Sequence, residues 1–180
     1  MAKLKGIKRL NKQITKAFRK AVFADCPKMY ADTDFSYWMD SEEITFGLVV
    51  TDYADKMMTA WVKDTFDFKI GNIFVFSILH ELGHYFTEDD FTDAEMDADT
   101  ELKETLEDGL TKLRRRSKEY NELYQSYFGL PTEYSATKWA VDWIRENRKE
   151  ANKLCIECNE ALTKFYLQNG VTDDDDDIYI

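Results

Sequence analysis

His80, Glu81 and His84 stand in one five-residue string, His80-Glu81-Leu82-Gly83-His84, which also holds both histidines of the chain. On a helix, residues four apart lie one turn above each other, so the two imidazoles can aim at one point and share a metal ion. Glu81 projects about a quarter turn away, where its carboxylate can reach a water held by the metal without taking a coordination position. Two ligands and a general base are thus separable within a single turn and a half.

The residues before the string predict the helix it needs. Asn72 to Leu79 is an almost unbroken apolar run, and Gly71-Asn72 reads as a helix start. Apolar residues on nearly every side imply a helix in the middle of a domain. The run is too short to cross a membrane before Glu81 interrupts it. Gly83 leaves out a side chain beside the metal face, so another backbone can approach closely. Burying two imidazoles and a carboxylate without satisfying them is unfavourable, which argues against a chance motif.

Two histidines do not complete a zinc site, and the third ligand must be a carboxylate or a thiolate. Asp90 occupies the place of a third histidine in one known pattern, but Glu88-Asp89-Asp90 reads as a solvated helix exit. Glu104 with Asp108 fits another spacing, inside a stretch so rich in carboxylates that an exposed acidic face explains it better. Glu133 has the better setting. The segment Pro131 to Ile144 begins like a helix, with Thr132 as a cap, and carries small Ala136 and Ala140 on the face adjoining Glu133. Small residues there would let the two helices press together and complete a His, His, Glu set.

The string His80-Glu81-Leu82-Gly83-His84, followed by Glu133, Ala136, Trp139 and Ala140 in register, resembles the ImmA/IrrE family of small gluzincin metallopeptidases, often encoded by phages and mobile elements. The likeness covers chiefly residues 40 to 145. It implies Zn2+ held by His80, His84 and Glu133, with Glu81 as general base. It also implies an α+β, predominantly helical fold: a zincin-like minimal metallopeptidase core with a small β-sheet beside the histidine helix, one strand of which would hold substrate extended. The implied partner is a protein or peptide substrate, in some members a regulator protein. Ser135 and Thr137 stand where the family often has acidic or amide residues, and residues 92 to 128 lengthen the interval between the motifs.

Composition bounds the rest. With 180 residues, 44% apolar, two prolines and seven glycines, the chain can bury one good core and reads as mostly helical. A single domain over 1 to 172 is expected. Residues 1 to 24 form a basic amphipathic helix whose apolar face docks on the core, residues 92 to 128 a charged helical insertion, and 173 to 180 an acidic tail, expected to be disordered. Residues 33 to 39 and 43 to 51 read as strands, whereas 53 to 68 fits either helix or strand.

Net charge of −11 and pI near 4.7 speak against general nucleic-acid binding. No apolar run has transmembrane length and no signal-peptide pattern is seen, so no membrane association is expected. Three cysteines fit a reducing cytoplasm. Cys155 and Cys158 fall on one face of an amphipathic helix and read as small core residues rather than a second metal site.

The sequence therefore predicts a zinc-dependent peptide hydrolase. Its oxyanion donor is not identified, since no third histidine exists; Tyr134 or a strand amide is the candidate. The alternative is a non-catalytic phage or mobile-element protein that keeps the zinc as a staple and acts by binding a partner. A purely structural site, however, has no use for Glu81.

Overall fold

The computed structural model describes residues 4–48 and 52–170. Seven helices and three strands are found in them, in the order α1 (Ile7–Ala21), β1 (Lys28–Asp32), β2 (Ser36–Trp38), β3 (Glu43–Gly47), α2 (Asp52–Phe66), α3 (Ile73–Thr87), α4 (Asp93–Lys112), α5 (Lys118–Phe128), α6 (Pro131–Glu146) and α7 (Arg148–Gln168). The protein is predominantly helical with one small sheet.

Within the 1 to 24 segment the helix spans Ile7–Ala21 and is amphipathic. Leu10, Ile14, Ala17 and Phe18 are buried, and the helix packs on α7 and β1, while Lys8, Arg9, Lys12 and Lys16 stay outside the core. The sheet has the order β1-β3-β2. β3 runs parallel to β1, with Met29 opposite Ile44, and antiparallel to β2, with Tyr37 opposite Ile44. β2 is thus an edge strand.

The strands depart from their expected bounds. The one expected over 33 to 39 is confined to Ser36–Trp38, because Met39–Ser41 turns into a single 3-10 turn and Glu42 adopts a left-handed φ of 48°. The strand expected over 43 to 51 ends at Gly47 among the described residues, and 49 to 51 lie outside them. β1 was not foreseen. Its burial alternates around a single fully buried side chain, Met29, which leaves little apolar signal. The ambiguous 53 to 68 segment is helical through Phe66. The tail from 173 lies outside the described residues.

The core joins α1, the sheet, α3, α6 and α7, with Phe18, Phe46, Phe74, Phe76, Ile78 and Leu79 among its largest wholly buried members. Cys158 lies within it and Cys155 packs half-buried against it. α3 runs through the middle, as its all-round apolar sequence requires. The Asn72 side chain caps it by accepting from Val75 N at 2.9 Å, and Asn72 Nδ2 donates to Asn159 Oδ1 of α7 at 3.0 Å. Residues 92 to 128 form a helical hairpin, α4 and α5. It opens on a capping box in which Thr92 and Glu95 satisfy each other's backbone amides. No helix among the described residues is long and apolar enough to cross a membrane.

Candidate metal centre

α3 packs most extensively against α6, and the reason is local. A Cβ built on Gly83 would lie 2.3 Å from Ala136 O and 2.7 Å from Ala136 Cα, so the two backbones touch where glycine meets alanine. Ala136 and Ala140 are wholly buried at this contact. The close approach brings Glu133, one turn before Ala136, over the histidine face of α3.

The result is a compact donor set. His80 Nε2 lies 3.1 Å from Glu133 Oε2, and His84 Nε2 lies 3.7 Å from Glu133 Oε1. One ligand atom from each of His80, His84 and Glu133 can be chosen so that all lie within 4.8 Å of one another. His80 and Glu133 are each 3% exposed. Nitrogen and oxygen donors converging at these separations in a buried place suit a divalent ion, and the group could hold one. Glu81, 8% exposed, lies beside them.

The surroundings orient these side chains. His80 Nδ1 lies 3.0 Å from the Thr137 hydroxyl. Without an ion, Nε2–H donates to Glu133 Oε2; with an ion bound, a ring protonated on Nδ1 would donate to Thr137 and turn its Nε2 lone pair to the ion, the arrangement that orients a ligating imidazole. Thr137 is 1% exposed, and the contact with His80 Nδ1 gives its buried hydroxyl a partner. Burial alone would raise the Glu133 carboxyl, but hydrogen bonds from His80 and His84 and their charge hold it well below the usual carboxylate range. For His84, burial works against the charged ring, yet the Glu133 and Glu81 carboxylates outweigh it and raise its pKa above the ordinary 6.5.

The centre opens on a cleft of about 750 Å³. Its walls include Ser36, Tyr37 and Trp38 of the edge strand on one side and Met96, Asp99 and Lys103 of α4 on the other. Tyr37 donates to Glu88 at 3.0 Å, tying the sheet to the end of α3. Thr132 donates to Asp99 Oδ2, tying α4 to α6, while Asp99 Oδ1 is buried without a protein partner. Lys103 reaches the donor set itself. Its Nζ lies 2.8 Å from Glu133 Oε1 and sits over the Tyr127 ring, 5.2 Å from its centroid. Burial disfavours this ammonium, but the Glu133 carboxylate more than offsets that and raises its pKa.

The other sequence candidates are not brought to the centre. Asp90, Glu104 and Asp108 are exposed, and among the described residues His80, His84 and Glu133 are the one group of three such donors able to hold an ion. Thr132 does not cap α6; Leu130 is the cap residue and Pro131 takes the first turn, which frees the threonine for Asp99. Tyr134 is 39% exposed and its ring packs on Phe66 and Trp61, because one residue past Glu133 turns it by about a quarter turn off the metal face. It does not line the cleft and is not placed to donate to an oxyanion there. Lys103 was missed, since one lysine on an acidic, mostly exposed helix carries no distinguishing sequence signal. No family model, curated protein or solved structure matches the chain.

Proposed function

We propose that the protein is a zinc-dependent peptide hydrolase with a zincin-like core, acting in the cytoplasm on a protein or peptide substrate. The observation that carries the reading is the convergence of His80 and His84 from α3 with Glu133 from α6, beside a buried Glu81, at the floor of an open cleft. The resemblance to the ImmA/IrrE family supports the same assignment. The three free cysteines, two of them buried, accord with a reducing compartment.

A zinc ion held by His80, His84 and Glu133 would acidify a water molecule and polarise a carbonyl. The chain's own residues do the rest. Thr137 would accept from His80 Nδ1–H and so hold the ring with Nε2 turned to the ion, and the Gly83–Ala136 contact sets the distance between the histidine pair and the carboxylate. Glu81 takes the proton from the attacking water and passes it to the departing amine. An extended substrate would pair with the free edge of β2, whose three residues border the cleft. A site that used zinc only as a staple would give Glu81 no task at the cleft floor.

Elemental mass spectrometry of the purified protein tests this, on wild type beside Glu133→Ala, Glu104→Ala and Glu81→Gln. Near-stoichiometric zinc is expected in wild type, Glu81→Gln and Glu104→Ala and not in Glu133→Ala, with proteolysis of a casein substrate lost in Glu81→Gln. Wild-type protein that takes up no zinc on reconstitution would overturn the proposal.

A further inference from the structure

We infer that Lys103, carried on the inserted helix α4, is the electrophile of this site: its ammonium donates a hydrogen bond to the carbonyl oxygen of the bond being cleaved as negative charge builds there. The inference rests on the hydrolase reading above and supplies the donor that reading lacks.

The geometry leaves few other sources. The chain has no third histidine. Tyr134 packs against Phe66 and Trp61, and the Tyr37 hydroxyl is committed to Glu88. Among the described residues lining the cleft, Lys103 is the one lysine or arginine. An ammonium has three donors. One meets Glu133 Oε1 at 2.8 Å and a second the Tyr127 side chain, whose ring also lies 5.2 Å from the ammonium, which leaves the third. The side chain keeps 37% exposure toward the cleft it lines, so donor capacity remains for a ligand arriving beside Glu133.

The step balances without a proton leaving Lys103. Water oxygen bonds to the carbonyl carbon while Glu81 takes its proton, and the carbonyl π pair moves onto the oxygen that Lys103 meets. That pair then reforms the carbonyl as the C–N bond breaks, and the amine receives the proton from Glu81. Fixed donors aimed at such an oxygen in a water-poor site act most strongly where the charge is greatest. The inserted hairpin would therefore complete the catalytic site rather than merely cover it.

The test uses the full chain loaded with Co2+, as wild type, Lys103→Met and Lys103→Arg, with circular dichroism to confirm folding. Inorganic phosphate is titrated as a tetrahedral oxyanion and neutral imidazole as a control, both read from the visible cobalt spectrum. Lys103→Met is expected to keep its cobalt and its imidazole affinity and to bind phosphate about 10- to 100-fold more weakly, with Lys103→Arg retaining most of the affinity. On casein, zinc-loaded Lys103→Met is expected to lose about 10²- to 10³-fold in kcat with KM little changed. Wild-type phosphate affinity in Lys103→Met overturns the inference. So does loss of cobalt from Lys103→Met, which would make the lysine a positioning residue for Glu133. Wild type that binds no cobalt overturns both readings. Inactive wild type with phosphate binding still lost in Lys103→Met sinks the hydrolase reading and with it the electrophile's role, leaving Lys103 as an anion-binding residue.

Discussion

Replacing Gly83 by alanine tests whether the helix contact sets the metal geometry. The added methyl would lie 2.3 Å from Ala136 O, 2.7 Å from its Cα and 2.8 Å from its carbonyl carbon. A comfortable carbon–oxygen contact is about 3.3 Å, so α3 and α6 must part by roughly 1 Å. All three atoms are backbone, so no rotamer change relieves the clash. Overpacking of this kind costs about 1–3 kcal/mol, which for a chain of this size lowers Tm by about 2–12 °C. The same shift carries Glu133 away from His80 and His84, against a tolerance of about 0.2 Å in metal–ligand distance. Urea denaturation and zinc content, measured on Gly83→Ala beside Gly71→Ala, separate the two effects. A methyl added at Gly71 would meet nothing within 4 Å, and that substitution should be neutral or slightly stabilising. Adding Ala136→Gly to Gly83→Ala should not rescue, since the clash is with backbone. A Gly83→Ala protein with wild-type stability and full zinc would refute the claim that this contact holds the site together.

Three further outcomes follow from the same geometry. Thr137→Val removes the partner of His80 Nδ1 and should weaken zinc about 10- to 100-fold; an unchanged affinity by chelator competition would dismiss Thr137 as an orienting residue. The raised His84 pKa stabilises the metal-free fold fully below the unfolded value of 6.5, and this is lost as pH rises through the folded value. Metal-free protein should therefore melt lower at pH 9 than at pH 6, while zinc affinity climbs over the same window and calorimetry in buffers of different ionisation enthalpy detects the displaced proton. A pH-independent affinity would contradict protonation of His84. Asn72→Ala removes both the α3 cap and the bond to Asn159, and urea unfolding should register a loss of about 1–2 kcal/mol. No measurable loss would mean that packing alone fixes the start of this helix.

How legible the site was depends on the periodicity each residue sits in. His80 and His84 repeat at one helical turn and need no partner to be recognised. Glu133 was legible through its neighbours, because Ala136 and Ala140 on one face announce a close helix contact, and the structure places that contact against Gly83. Lys103 and Thr137 were not legible. Each acts across a tertiary contact, and their local sequences read as a solvated acidic helix and as an ordinary helix interior. The strands show the same divide. β3 alternates clearly, with Ile44 and Phe46 buried, whereas β1 buries one side chain and takes its place from pairing with β3 rather than from its own pattern. Tyr134 failed because a neighbour in sequence is not a neighbour on a helix face.

The pairing of α1 with α7 has a consequence for the order in which the molecule can be assembled. Synthesis delivers α1 well before α7, its main partner. His84 precedes Glu133 by about fifty residues, an interval of roughly 2–10 s at translation rates of about 5–20 residues per second. Throughout it, the apolar sides of α1 and α3 lack the helices that cover them, and the two imidazoles have no carboxylate to work with. Capture of an ion by His80, His84 and Glu133 would then be a late event, sealing a completed scaffold rather than guiding its growth. A pause within the α4–α5 hairpin would expose a histidine-bearing hydrophobic helix to chaperones when it most needs shelter.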